Sequence, residues 1–226
     1  SPSVSPSPSG IPDTCVVDQE QLGLTIGVDD SLYRNSSIWV EAQSFKPTKT
    51  ANLCNIQLKL RKVVDPLDNL KIDIFSDNGG VPGTILSTAD NVISGSSLTT
   101  SFEIYNFPFT GDNSILLNIE TTYYIYITRS GASDSTNYYK IGSNFVDNVD
   151  PYTRGNEIYF FNTTWRTDKS NPPDNYFDLY FQEYYDNTTV TESHSISPSV
   201  SSSVSPSISP SISPSGSISQ SASPSA

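Results

Sequence analysis

Through the middle of this chain apolar and polar residues alternate with period two. "LCNIQLKL" places Cys54, Ile56, Leu58 and Leu60 on one face, and "NLKIDIF" does the same with Leu70, Ile72 and Ile74. A strand turns successive side chains to opposite sides, so this spacing predicts half-buried β-strands. The segments "LGLTIG", "SIWVEAQSF", "TSFEIYNF", "YYIYITRS", "NYYKIG", "EIYFF" and "DLYFQEY" read the same way, and turn clusters such as "SDNGG" and "NPPDN" part them. No segment reads as a long helix. The pattern predicts an all-β protein, an antiparallel jelly-roll-like β-sandwich of roughly nine or ten strands.

The alternation stops at both ends. Residues 1–10 read "SPSVSPSPSG" and residues 191–226 continue in the same Ser/Pro idiom, with "SISPSISPSG" at 207–216. Proline fixes its own φ and pushes its predecessor towards extended geometry, while serine supplies no apolar face to bury. The chain therefore divides into a Ser/Pro leader at 1–10, a sandwich at 11–190 and a Ser/Pro stalk or linker at 191–226. At ~3.1 Å per residue in the polyproline II form, such a tract is a spacer. Its hydroxyl density matches O-glycosylated stalks, with Ser197, Ser199, Ser205, Ser207, Ser209, Ser211, Ser213 and Ser215 as acceptor candidates. A bare linker and an ordered, fibre-forming rod are the alternatives, the second suggested by the recurrent Val and Ile.

Charge narrows the partners. Twelve Lys and Arg stand against 24 Asp and Glu, a net charge of −12 and a pI near 4.3. That balance argues against a nucleic-acid backbone and against anionic membrane surfaces. No apolar run approaches a membrane span, and the absence of methionine suggests a piece of a longer precursor. The only cysteines are Cys15 and Cys54, without zinc-site spacing. In an oxidising compartment they pair, closing a loop of about 40 residues and contributing roughly 3 to 4 kcal/mol on chain-entropy grounds. Otherwise they are two buried thiols.

Four stretches carry a family resemblance. "AQSFKP", "IDIFSDNGGVPGTIL", "IETTYYIYI" and "WRTDKSNPPDNYFDLYFQEY", spanning roughly Gln43 to Tyr185, look like the choice-of-anchor R type of extracellular β-sandwich domain. Its members have a Q-S-F opening, a D-x-x-G-x-P-G turn, a t-Y-y-i strand and a closing W…D-L-x-F-x-x-Y. The resemblance implies a surface-displayed module without established catalysis, joined to a cell-surface anchor. Here a Ser/Pro tail stands where a sorting signal is expected.

Candidate sites are few. N-x-S/T sequons occur at Asn35, Asn162 and Asn187. Asp77 and Asn78 in "SDNGG", with Asp29 and Asp30 at another strand end, offer oxygens suited to a structural calcium ion, the one cofactor the sequence suggests; plain turn chemistry explains them equally. Trp165, Arg166, Tyr176, Tyr138 and Tyr139 could form a sugar-stacking surface, although alternation also reads aromatics, Trp39 and Trp165 included, as core. No G-x-S-x-G elbow, phosphate loop or H-E-x-x-H is present, and the sole histidine, His194, lies in the tail. The expectation is a non-catalytic extracellular structural or adhesive bead within a surface fibre, sheath or adhesin. Its partners are copies of itself and glycans, with no nucleic acid and no membrane insertion. A carbohydrate-binding module of a secreted hydrolase and a virion or phage fibre segment are the rivals.

Overall fold

The computed structural model describes residues 11–23, 29–32, 38–132, 134–147, 150, 152–161, 163–167 and 175–189. The chain divides between 192 and 193 into two units, and all described residues belong to the first. Both Ser/Pro tracts, with the eight serines named above, lie outside the described residues, as do Asn35 and Asn162.

Fifteen strands are present among the described residues. In chain order they are β1 (Cys15–Gln21), β2 (Asp29–Leu32), β3 (Ile38–Phe45), β4 (Ala51–Val63), β5 (Asn69–Asp77), β6 (Pro82–Thr88), β7 (Ile93–Ser94) and β8 (Glu103–Pro108). They continue as β9 (Leu116–Leu117), β10 (Tyr123–Arg129), β11 (Tyr138–Asp147), β12 (Glu157–Phe161), β13 (Thr164–Thr167), β14 (Asn175–Leu179) and β15 (Phe181–Asp186). All pairings are antiparallel.

The count exceeds the nine or ten strands expected, for local reasons. β6 opens on Pro82 and Gly83, which read as turn residues, yet proline is tolerated at the first position of an edge strand. "DLYFQEY" is two strands: at Tyr180 the chain bonds back to the Gly142 carbonyl, ending the β14–β11 pairing before β15 joins β4.

Two four-stranded layers form the sandwich, β1-β15-β4-β8 and β3-β10-β5-β6. β15 and β8 both pair with residues 55–58 of β4, so they occupy its opposite edges. In chain order the strands β1, β3, β4, β5, β6, β8, β10 and β15 visit the layers in the jelly-roll order, with first and last strands adjacent. The segment between β10 and β15 is an insertion. It sends β11 and β14 along the first layer and adds β12 and β13 beyond β3 in the second.

Alternation fixes the core. Ile56, Leu58 and Leu60 of β4 face Leu70, Ile72 and Ile74 of β5, all fully buried in one cluster. Near Cys54 the β4–β15 register slips, with Leu53 opposite Tyr185 but Asn55 opposite Tyr184. The extra residue of that bulge lets both Leu53 and Cys54 turn inward. Cys54 is disulfide-bonded to Cys15, Cα to Cα 6.1 Å, which ties the first strand to the centre of its layer.

Candidate functional site

Each strand of the second layer has an outward face, and on this one it is aromatic. In β10, Tyr123, Ile125 and Ile127 point into the main core, so Tyr124 and Tyr126 point out. Register then assembles their neighbours. Tyr126 lies beside Ala42 of β3, which lies beside Ile158 of β12; Tyr124 lies between Ser44 of β3 and Phe75 of β5. Ala42, Tyr124 and Ile158 are buried beneath the half-buried rings of Phe75, Tyr126 and Trp165. Phe75 stacks on Tyr126 at 4.4 Å between centroids, and Trp165 meets Tyr126 edge-on at 5.9 Å and Phe160 at 5.3 Å. Such offset and edge contacts are favourable beyond their area. The result is an aromatic strip, with the buried Asp73 carboxylate beside Tyr126 on the same face.

One end of the strip opens into a groove of about 390 Å³ lined by Ser44, Tyr124 and Ile158 from the strip and by Lys46, Asp77, Gly80, Thr122 and residues 153–156. Two loops build its walls. In the β5–β6 turn Gly79 and Gly80 have φ of 69° and 92°, the left-handed region that glycine tolerates best. The Gly80 N–H and the Tyr124 hydroxyl both donate to Asp77 Oδ1 at 2.9 Å. Burial, reinforced by the Asp77 carboxylate, raises the Tyr124 pKa, so this phenol stays a donor. On the other wall a Cβ at Gly155 would collide with the Ser44 carbonyl, so glycine allows the 152–156 segment to lie directly on β3. Ser44 and Asn156 then exchange hydrogen bonds, the Ser44 hydroxyl donating to the Asn156 carbonyl and the Asn156 N–H to Ser44 Oγ. Arg154 is clamped by its Nε and Nη2 to the Lys46 carbonyl, with Nη2 also on the Pro47 carbonyl and Glu120. The Lys46 ammonium, by contrast, makes no hydrogen bond or ion pair with a described residue.

The residues singled out from sequence are not gathered in one place. Trp165 is on the outer strip, as a sugar-stacking reading requires. Arg166, the next residue, is exposed on the opposite side of β13. Tyr138 and Tyr139 belong to β11 in the first layer, 8% and 0% exposed. The Tyr139 hydroxyl donates to the Asp68 carbonyl at 2.6 Å, which makes it a core tyrosine with a satisfied polar end. Tyr176 lies in β14, its side chain outside the described residues. The structure thus separates Trp165, which neighbours Tyr126, Phe75 and Phe160, from Arg166, Tyr138 and Tyr139. Parity along "YYIYITRS" held the signal for Tyr126, because Ile125 and Ile127 fix which face is core. Lys46 and Arg154 had no such signal: loops bring them together.

The calcium candidates also separate. Asp77 and Asn78 lie at the β5–β6 turn of the second layer, Asp29 and Asp30 on β2, which pairs with β11 of the first. They do not form one site, and among the described residues no group of three or more His, Cys, Asp or Glu side chains could hold a metal ion. Asn187 is exposed in a 3-10 turn directly after β15, accessible to modification.

A second polar cluster lies inside the sandwich. Asp178 of β14, 1% exposed, accepts from Gln43 Nε2 at 2.8 Å and from the Tyr152 N–H at 3.1 Å. Its pKa rises to about 8, chiefly through burial and further through the neighbouring Asp150 carboxyl, against the opposing Gln43 hydrogen bond. Glu183 of β15 is also raised, by burial first and by Asp18 next, and its Oε2 has no hydrogen-bond partner. The Tyr152 hydroxyl bridges the cluster by donating to Gln19 Oε1 at 2.9 Å.

Compared with protein-family models, with curated proteins and with solved structures, the chain matches none. Its function therefore rests on its own geometry.

Proposed function

We propose that this domain is a non-catalytic, adhesive recognition module displayed outside the cell on Ser/Pro spacers, and that it holds glycans on the outer face of its second layer. The observation that carries this reading is the strip of Phe75, Tyr126 and Trp165 running into a groove with hydrogen-bonding walls. Saccharides present apolar C–H faces and polar rims, and a site that pairs aromatic faces with a few placed donors and acceptors complements both. Two carboxyls held above their ordinary range, Asp178 and Glu183, are each 1% exposed, beneath the reach of a glycosidic oxygen. That placement favours binding over hydrolysis. The resemblance to choice-of-anchor R domains belongs to the same reading.

The described strands begin and end at one place. Cys15 pairs with Asp186, and the Asn187 N–H donates to the Thr14 carbonyl at 2.9 Å, so entry and exit lie side by side. Tension across such neighbours would peel β15 bond by bond rather than load its bonds together. The Cys15–Cys54 disulfide fits an oxidising compartment, and no helix of the described residues is long and apolar enough to cross a membrane. A glycan array tests the reading: the wild-type chain binds at least one saccharide class, and Trp165→Ala, less stable for the loss of its contacts with Tyr126 and Phe160, abolishes that binding at a temperature where circular dichroism shows it still folded. A blank array with the wild-type chain overturns it.

A further inference from the structure

We infer that the groove at the end of the aromatic strip selects acidic saccharides, with a sugar carboxylate seated on the Lys46 ammonium. The inference deepens the glycan-binding reading and depends on it. Its basis is the unequal use of charge around the groove.

Only 12 cationic residues occur in a chain of net charge −12, yet two of them, Lys46 and Arg154, line this one groove. Arg154 is largely committed, with two nitrogens on backbone carbonyls and a 2.7 Å ion pair to Glu120. Asp77, on the facing wall, has one oxygen taken by the Gly80 N–H and the Tyr124 hydroxyl. Lys46 differs from both. Its main chain is fixed, since its carbonyl receives Arg154, while its ammonium has no partner among the described residues. A held backbone with an unspent charge beside a concave surface is suited to a monodentate anion. The surrounding acidity repels polyanions at large, so discrimination falls to this local cation.

Phe75, stacked on Tyr126 at 4.4 Å, and Trp165, edge-on to Tyr126 at 5.9 Å, do not form one flat platform, so the three half-buried rings offer separate contacts to a ligand. An oligosaccharide can therefore rest against the exposed part of the strip while a terminal uronate enters the groove. There Lys46 takes the carboxylate, and Asp77 and Tyr124 are in place for ring hydroxyls.

Two probes of the same shape separate charge from stacking: a neutral galactose oligosaccharide ending in a single galacturonate and the same oligosaccharide with that one carboxylate methyl-esterified, titrated by calorimetry into the whole chain. The acid should bind at least tenfold more tightly than the ester. Lys46→Gln should erase that difference without lowering the thermal midpoint, and Trp165→Ala should weaken both probes. Equal binding of acid and ester overturns the acidic selection and leaves the glycan reading standing. Unchanged acid binding by Lys46→Gln overturns the role of Lys46, and failure of both probes overturns the inference, with the array above then deciding the broader reading.

Discussion

Gln43 of β3 and Asp178 of β14 meet at 2.8 Å across 135 positions of sequence, and the contact fastens one layer of the sandwich to the other. Gln43 serves both partners at once: its Nε2 donates to the Asp178 carboxyl and its Oε1 accepts from the Leu179 N–H at 2.8 Å. Both residues are essentially without solvent contact. Replacing Gln43 by Leu leaves a buried N–H and a buried carboxyl oxygen unpaired, each costing about 1–3 kcal/mol. Urea unfolding should show a loss of roughly 2–4 kcal/mol with an unchanged m-value. A loss below 1 kcal/mol would mean that the contact is replaceable by water.

The buried carboxyls make stability fall with rising pH. In the unfolded chain these groups ionise near their ordinary values, whereas the folded protein keeps the proton on Asp178 up to about pH 8 and holds Glu183 above its ordinary range as well. Their contribution is full below about pH 4, declines above it and is gone once the pH passes the folded value. The thermal midpoint should therefore drop between pH 5 and 8.5. Glu183→Gln, neutral at every pH, should flatten that slope, and an unaltered slope would remove Glu183 from the account.

At the acid end the sign reverses. Burial alone would raise Asp68, but the Arg129 guanidinium, the Gly131 N–H and the Tyr139 hydroxyl outweigh it and hold the carboxyl below its ordinary value. Arg129 grips both Asp68 oxygens, at 2.7 and 2.6 Å, with its side chain 4% exposed. The pair's stabilisation is lost as pH falls through that lowered value. Arg129→Ala leaves the Asp68 carboxylate without its counter-ion, held only by the Gly131 N–H and the Tyr139 hydroxyl, and should cost about 3 kcal/mol by denaturant titration. Arg129→Lys, which cannot reproduce the fork, should recover only part of this.

Reduction of the Cys15–Cys54 bridge should loosen the first strand before the rest. The bond closes a separation of 39 residues, a loop whose closure stabilises by about 4 kcal/mol, or roughly 10 °C in thermal midpoint for a domain of this size. Hydrogen exchange of β1 should rise on reduction while that of β5 and β10 stays slow. Uniform acceleration across all strands would show that the bridge is needed for the whole sandwich.

How far the sequence reached differs between the fold and the site. Alternation located the core strands residue by residue, because Ile56, Leu58, Leu60, Leu70, Ile72 and Ile74 must share faces if they are to leave water. It missed β6, whose opening Pro82-Gly83 resembles a turn, and β1, where the polar Gln19 and Gln21 are buried. Of its candidate stacking residues Trp165 lies on the outer strip, while Tyr138 and Tyr139 are buried in the first layer, as the alternative core reading has it. Tyrosine alternates alike in a core and on a platform, and only the opposing strand tells which.

By itself the amino-acid order determined an all-β sandwich, its acidic charge, the availability of one disulfide and the Ser/Pro composition of its ends. Those properties follow from spacing and side-chain chemistry within a few residues of each other. The tertiary structure decided which faces look inward, how the jelly-roll order sets β1 beside β15, and that Lys46, Asp77, Tyr124 and Arg154 surround one groove. These depend on strand register and on loops that meet only after the layers have closed, so no local period along the chain encodes them.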